Sequence, residues 1–571
     1  MRSAAAITPT TPTTPTTHRN AMRLCDYLDK GASLGADAPC LTMDGTTLTY
    51  GEVRTLSWRV ARALDRSGVR PGDKVAILSA NNSTAFACVF GISRAGAVWC
   101  PVNPRSAAAE NRDLLDLLDC VCLIFQPSFG PLVESIRGDL PKLRTLVRLD
   151  DADADADADT GADTGADTDT DTDAGAETAR ETAPTGAVPF AAWLDGTDAE
   201  PWDAERWEAE PWEAAPPDDI VMIAGTGGTT GKPKGVMLSG RNIETMSALT
   251  LMSYPFGPRP VYLALAPLTH AAGVLCFPVL SLGGEIVVMP RPDLGEFLAL
   301  VEHHGVTHTF LPPTLVYALL AHPELNAADT SSLRCLWYGA APMAPARLAE
   351  AIGRLGPVLG QLFGQTEAPM MISVLAPADH VGPDGSPVLE RLGSAGRPTP
   401  LVTVGIMDTD GALLPPGERG EIVVRGSLVM PGYYRDPGAT ADVSRHGWHH
   451  TGDVGYLDED GYLFIVDRLK DMIITGGFNV YSAEVEKALL DHMDVRDCAV
   501  LGLPDDTWGE RVTAVVQLHP DRPVDAEALR AFVRERLGSV KTPKQLEIWP
   551  DLPRSTVGKV LKPDIRQRLL S

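Results

Sequence analysis

Thr226-Gly227-Gly228-Thr229-Thr230-Gly231-Lys232-Pro233-Lys234-Gly235 is the stretch on which the reading of this chain turns. It follows the apolar run Ile220-Val221-Met222-Ile223-Ala224, the pattern of a buried strand. Glycines let backbone N–H groups approach a ligand closely, hydroxyls donate hydrogen bonds, and ammonium groups neutralise charge, so the composition suits a loop wrapped around a polyphosphate. It is not a Walker A loop, which needs four residues between Gly and Gly-Lys and then Ser or Thr. Here the fifth residue before Gly231 is Thr226, and Pro233 follows Lys232. The competing reading is a plain Gly/Thr hairpin with Val236-Met237-Leu238 as its return strand.

Working outward, 571 residues suffice for two or three domains with large cores, and 44% hydrophobic content with mean hydropathy of −0.02 fits a globular chain. The net charge of −26 is concentrated: Asp150 to Glu181 holds thirteen acidic residues against one basic, Arg180. That segment supplies −12 and the remainder −14, which argues against nucleic-acid binding by bulk electrostatics, since that needs a basic face. The nine cysteines form no CxxC pair, so they read as buried small hydrophobes rather than a zinc site or a disulfide framework. No apolar run reaches the ~18 residues of a membrane span, and no secretory apolar core opens the chain. A cytoplasmic protein is expected.

Residues 1–21, rich in Thr and Pro, are expected to be disordered, with the folded part beginning near Met22. Leu41 to Tyr50 predicts a hairpin with an Asp44-Gly45 turn. Tyr50 to Ser67 has helical spacing, with Val53, Leu56, Val60 and Leu64 on one stripe. Lys74–Leu78 and Ala97–Val102 predict strands around a helix over 83–95, the alternation of a parallel α/β sheet. The Asp-Ala and Asp-Thr repeats over 150–184 predict a disordered insertion, because they cannot bury enough apolar surface to offset chain entropy. A Trp-acid repeat around Trp202 and Trp212 follows. Strands at Val261–Ala266, Glu285–Met289, Thr307–Leu311 and Leu333–Tyr338, with a helix over 296–303, predict a second parallel sheet. From Pro398 to Val466 short strands and Gly-rich turns predict a small β subdomain, and Asp467 to Ser571 a compact α+β unit. The expected fold is α/β: a large N-terminal domain of two αβ-layered sheets plus a small β subdomain over 22–466, a hinge at 467–470, and a small mobile α+β C-terminal domain over 471–571.

Four later stretches accompany the loop: Phe363-Gly364-Gln365-Thr366-Glu367, Thr451-Gly452-Asp453, Asp467-Arg468-Leu469-Lys470-Asp471 and Ser555-Thr556-Val557-Gly558-Lys559. In this order and spacing the chain, from about Met22 to Pro563, resembles the adenylate-forming superfamily of acyl-CoA synthetases, aryl-CoA ligases, luciferases and adenylation domains. The resemblance implies two half-reactions. A carboxylate attacks the α-phosphate of ATP to give acyl-AMP and pyrophosphate; a thiol, usually that of CoA, then displaces AMP. Positioning and charge neutralisation carry most of such catalysis.

The resemblance also implies roles. Thr226, Gly227, Gly228, Thr229, Thr230, Gly231 and Lys234 would cradle the β- and γ-phosphates, although most members have Ser where this chain has Gly227, which removes one hydroxyl donor. Thr366 and Glu367 would contact the α-phosphate and Mg²⁺, with Thr229 a further metal contact. Gly339, Ala340 and Ala341 would lie along the adenine, near Phe363 and Gly364. Asp453 would accept from both ribose hydroxyls, with Arg468 beside ribose or phosphate. Lys559 would bridge the acid and the α-phosphate during adenylation. Lys470 would be the hinge about which the small domain swings, withdrawing Lys559 and bringing Gly476 and Gly477 toward the thiol channel. The acid would lie among His270, Gly273, Gly339, Met370 and Met371, an apolar lining suited to an aryl, alicyclic or medium-chain acid.

The leading expectation is an acyl- or aryl-CoA ligase using ATP, Mg²⁺ and CoA, acting as a monomer or homodimer on a small carboxylic acid. The alternatives are an adenylating enzyme with another acceptor or acid (carrier-protein loading, amide formation, or activation of nitrous acid for an aryl amine) and a non-catalytic binding protein. Retention of Glu367, Asp453, Arg468 and Lys559 argues against the last.

Overall fold

The computed structural model describes residues 21–150, 184–200, 219–226, 233–269, 271–341, 343–476, 478–505, 508–520, 522, 524–554 and 560–571. The low-complexity N-terminus and the acidic repeat, both expected to be disordered, and the Trp-acid repeat lie outside the described residues, over 1–20, 151–183 and 201–218.

Two large mixed sheets organise the N-terminal part. One has eight strands, ordered 432–433, 234–239, 220–226, 98–102, 74–78, 120–125, 145–148 and 188–189. Its centre is parallel, with Lys74–Leu78 between Val98–Val102 and Cys120–Phe125. Ile220–Thr226 lies parallel to Val98–Val102, then turns antiparallel into Lys234–Ser239. The return strand of the hairpin reading is therefore present, and it is compatible with a phosphate-wrapping role, since a hairpin tip can present successive N–H groups to one ligand.

The other large sheet has nine strands, ordered 397–398, 368–375, 359–365, 335–339, 308–310, 261–264, 285–288, 39–43 and 46–49. Its middle is the second parallel set, flanked by antiparallel pairs. The hairpin predicted near the start joins this later sheet: Pro39–Met43 runs parallel beside Glu285–Val288. Its Asp44-Gly45 turn has φ of 48° and 76°, the two left-handed residues of a type I′ turn. Between the sheets, helices Leu24–Leu34, Tyr50–Arg66, Ser83–Arg94, Gly240–Ser253 and Ala271–Ser281 share one continuous core. Tyr50–Arg66 starts at a Thr49/Glu52 capping box and buries Val53, Val60 and Leu64 of the predicted stripe, with Leu56 half-buried against the same core. Strand alternation sorts the second sheet: Cys335 and Trp337 face the shared core, while Leu336 and Tyr338 face a separate outer core. All nine cysteines are buried and unpaired.

An antiparallel sheet of 403–407, 420–425, 449–457 and 463–468 forms the β subdomain. The C-terminal part is a five-stranded sheet built on the long hairpin Val495–Asp505 and Gly509–Leu518, with helices Ser482–Leu490, Ala526–Lys541 and Lys562–Leu570 and cores of its own. Among the described residues no helix is long and apolar enough to cross a membrane.

Candidate active site

Three sheets deliver their strand ends to one place. Thr226 and Lys234 face each other at the base of the glycine-rich hairpin, with Gly225 opposite Gly235. The short strand Gly432–Tyr433 pairs with the same return strand, Tyr433 opposite Val236. Tyr433 then joins two elements that lie far apart in sequence. Its hydroxyl donates to Glu367 Oε1 at 2.8 Å, and its ring lies 4.8 Å from Lys234 Nζ. Burial first, and then the Glu367 carboxylate, push the Tyr433 hydroxyl up, so it stays protonated and donates. The Met430 N–H donates to the Glu367 carbonyl at 2.8 Å, fixing the backbone as well. The lysine of the loop and the carboxylate of the Thr-Glu pair thus meet across one aromatic ring.

Thr366 and Glu367 form the turn between Leu359–Gln365 and Ala368–Leu375. The hairpin is irregular between Phe363 and Gln365, where Gly364 lies against the backbone of Met370. A Cβ on Gly364 would sit 2.3 Å from the Met370 nitrogen, and Met370 itself holds φ of 62°. A bulge of this kind re-aims the side chains that follow it. Phe363 packs at the junction of the inter-sheet core and the β subdomain, and Met371 is fully buried.

Gly339 ends its strand where a Cβ would meet the Leu362 carbonyl oxygen at 2.5 Å, and the backbone then bends through Ala340 and Ala341, both exposed. Ala340 takes φ of 66°, an uncommon conformation for a residue with a Cβ. Behind this shelf Tyr338 is buried, and its hydroxyl is 3.0 Å from His380 Nε2. His380 Nδ1 lies 2.8 Å from the Ala376 carbonyl, which only accepts, so Nδ1 carries the proton and Nε2 accepts from Tyr338. Burial lowers His380 to about 4, in keeping with that neutral ring. Tyr338 is a core residue that anchors the shelf from its far side.

Asp453 and Arg468 are register partners on adjacent strands of the β subdomain, and Arg468 Nε reaches Asp453 Oδ1 at 2.9 Å. The other oxygen, Oδ2, accepts from Gln365 Nε2 at 3.0 Å. Lys470 follows, exposed, in the turn Leu469–Asp471, with partial desolvation lowering its pKa against the opposing pull of Asp471. Asp467, just before it, accepts from the Ser482 backbone N–H and, at 3.0 Å, from the Ser482 hydroxyl, capping the first helix of the C-terminal part. Gly273 is buried in the helix Ala271–Ser281, and Gly476 lies at the turn between Ile473–Thr475 and Phe478–Val480, against Trp508.

Gly227, Gly228, Thr229, Thr230, Gly231, His270, Gly477 and Lys559 lie outside the described residues. Arg554 and Val560 form an antiparallel bridge. Of the described candidates, Lys234 and Glu367 meet through Tyr433, and Asp453 and Arg468 pair beside Gln365, two residues before Glu367 in the chain, while Gly476 belongs to the C-terminal sheet. Tyr433 and His449 carry no local signal that singles them out. Gln365 stood inside a quoted motif without a role.

The family models decide what this arrangement belongs to. That for AMP-binding enzymes matches residues 28–434, and that for the AMP-binding enzyme C-terminal domain matches residues 484–559. The chain belongs to the AMP-binding enzyme family. Among relatives of this AMP-binding enzyme, the feruloyl-CoA synthase of Amycolatopsis is 37% identical over 539 residues, 94% of this chain and 97% of that one. The medium/long-chain-fatty-acid–CoA ligase FadD8 of Mycobacterium tuberculosis is 42% identical over 360 residues, a span of 62% of each chain. Among solved structures, the amide bond synthetase McbA from Marinactinospora thermotolerans superposes with a TM-score of 0.79 at 32% identity, covering 95% of this chain and 99% of its own.

Proposed function

We propose that this AMP-binding enzyme is an ATP-dependent acid–thiol ligase that makes an acyl- or aryl-CoA thioester. The carboxylate oxygen of the acid bonds to the α-phosphorus of ATP and the bond to the β-phosphate oxygen breaks, giving acyl-AMP and pyrophosphate. The CoA thiol then attacks the acyl carbon, loses its proton, and displaces AMP. The reading is supported by relatives along nearly the whole chain that carry CoA-synthase and CoA-ligase names.

The observation that carries the reading is the join of Lys234, Tyr433 and Glu367, because it sets a cation for phosphate oxygens against an oxygen ligand for a hard divalent ion. We assign Thr226, Lys234 and the intervening loop to the β- and γ-phosphates. Glu367 is half-buried with one oxygen held by Tyr433, a donor set that fits the Mg²⁺ arriving with ATP. That ion would offset charge developing on the transferred phosphoryl oxygens. Thr366 would hold the α-phosphate, Asp453 the ribose hydroxyls, and Gly339 to Ala341 the adenine. Lys559 would enter from the C-terminal part for adenylation and leave by rotation at Lys470. The boundaries that go with this division are 22–466, a hinge at 467–470, and 471–571. The acid would lie beside Gly273, Gly339, Met370 and Met371, where the lining is apolar.

A second acceptor class is favoured by one specific likeness, that to an amide bond synthetase along 95% of this chain. An amine would then replace the thiol in the second half-reaction, with the first unchanged. A pyrophosphate-release screen over aryl, alicyclic and fatty acids, run with CoA, with an amine and with neither, tests both. CoA-dependent thioester with at least one acid supports the ligase; acid-dependent pyrophosphate with product only from amine would overturn it in favour of the amide former.

A further inference from the structure

Half-buried Gln365 and buried His449 form an amide–imidazole pair beside Asp453. Gln365 Nε2 donates to the Thr451 carbonyl at 2.8 Å and to Asp453 Oδ2 at 3.0 Å. His449 Nε2 lies 3.2 Å from Gln365 Oε1. Only one orientation of the amide works. Flipped, its oxygen would face a carbonyl and a carboxylate, two acceptors that offer it no proton. With the oxygen toward His449, that imidazole must donate, so its proton sits on Nε2. Burial, and then His450 beside it, lower His449 to about 4, and it is neutral at pH 7. His450, the next residue, turns to the other face and meets Glu421 at 2.7 Å. Every polar atom of the Gln365 amide is therefore assigned, and the amide is locked from behind.

We infer that Gln365 is a positioning residue for the ribose carboxylate and that His449 holds Gln365 in the orientation this requires. The inference rests on the ATP-binding role given above to Asp453. Arg468 meets Asp453 Oδ1 and Gln365 meets Oδ2, so these two neighbours together set the plane in which the carboxylate would receive a diol. Gln365 also immediately precedes Thr366 and Glu367 in sequence.

The test is nucleotide binding by calorimetry without any acid, comparing ATP with 2′,3′-dideoxy-ATP, on the full chain and on Gln365→Leu, His449→Leu and His449→Gln. The full chain is expected to prefer ATP by about tenfold or more, the order of one charge-assisted hydrogen bond. Gln365→Leu should bring that preference within about threefold while leaving dideoxy-ATP binding unchanged, again on the scale of one such bond. His449→Leu should lower it in the same sense, and His449→Gln, which restores an N–H donor, should recover it. Equal weakening of both nucleotides, or a preference unchanged in Gln365→Leu and His449→Leu alike, would overturn the proposal. So would a full chain that binds both nucleotides equally. A full chain that binds neither removes the ligase reading itself. Should Gln365→Leu not fold, the two His449 variants decide.

Discussion

Tyr433→Phe removes one oxygen and nothing else from the contact between loop and carboxylate. The ring 4.8 Å from Lys234 Nζ remains, and the 2.8 Å hydrogen bond to Glu367 Oε1 is lost. A hydrogen bond to a charged group contributes about 1.5–3 kcal/mol. Glu367 is half-buried, so water can partly replace the lost donor, and the lower end applies. That corresponds to roughly a tenfold effect. Because Glu367 keeps its charge but loses the partner that fixes its rotamer, the effect should fall on the metal. The Mg²⁺ concentration for half-maximal pyrophosphate release should rise about tenfold, and binding of ATP without Mg²⁺ should stay within about twofold of the parent. Tyr433→Ala should weaken metal-free ATP binding as well, since it also takes the ring from Lys234, a cation–π contact of about 0.5–2 kcal/mol. The assay is a coupled pyrophosphate titration over Mg²⁺, paired with calorimetry. A Phe variant with the parental Mg²⁺ requirement would refute the reasoning.

Gly364→Ala should unfold at a clearly lower temperature, because its Cβ would press on the Met370 backbone nitrogen at 2.3 Å and neither strand can yield without losing the hairpin register. An unchanged melting curve would contradict the close approach. Acid sensitivity follows from His308, His380 and His449, each lowered from 6.5 to about 4 chiefly by burial. Their folded pKa is depressed, so this stability is complete above about 6.5 and is lost as pH falls through about 4, at roughly 3 kcal/mol per histidine. Melting temperatures measured from pH 7 to 4 should fall, and His449→Gln should flatten the slope by the share of one proton. Lys559→Ala is expected to abolish acyl-AMP formation and spare thioester formation from supplied acyl-AMP; equal loss of both would contradict the division of labour between half-reactions.

Local rules carried much of the fold. The Val53–Leu64 stripe, the Asp44-Gly45 turn and the αβ alternation each have a physical signature within a dozen residues, and each element forms where that signature sits. The partner of Pro39–Met43 had no such signature, because parallel pairing with Glu285–Val288 is a choice among buried strands that look alike in sequence. The site divides the same way. Asp453 and Glu367 were visible inside dense motifs. Tyr433 was not, since a Gly-Tyr-Tyr run after a β-rich segment reads as ordinary strand, and its role depends on a partner 66 positions away. Gln365 was visible as a motif letter only. Its function appears once His449, 84 positions on, fixes which way the amide faces.

In the proposed reaction a carboxylic acid opens ATP between its α- and β-phosphorus atoms. Acid-dependent exchange of labelled pyrophosphate into ATP, in the absence of any thiol or amine, measures that step alone. Exchange is expected with at least one acid of an aryl, alicyclic and fatty panel, with AMP as the eventual nucleotide product. ATP turned over to ADP and phosphate, with no label entering ATP for any acid, would contradict it.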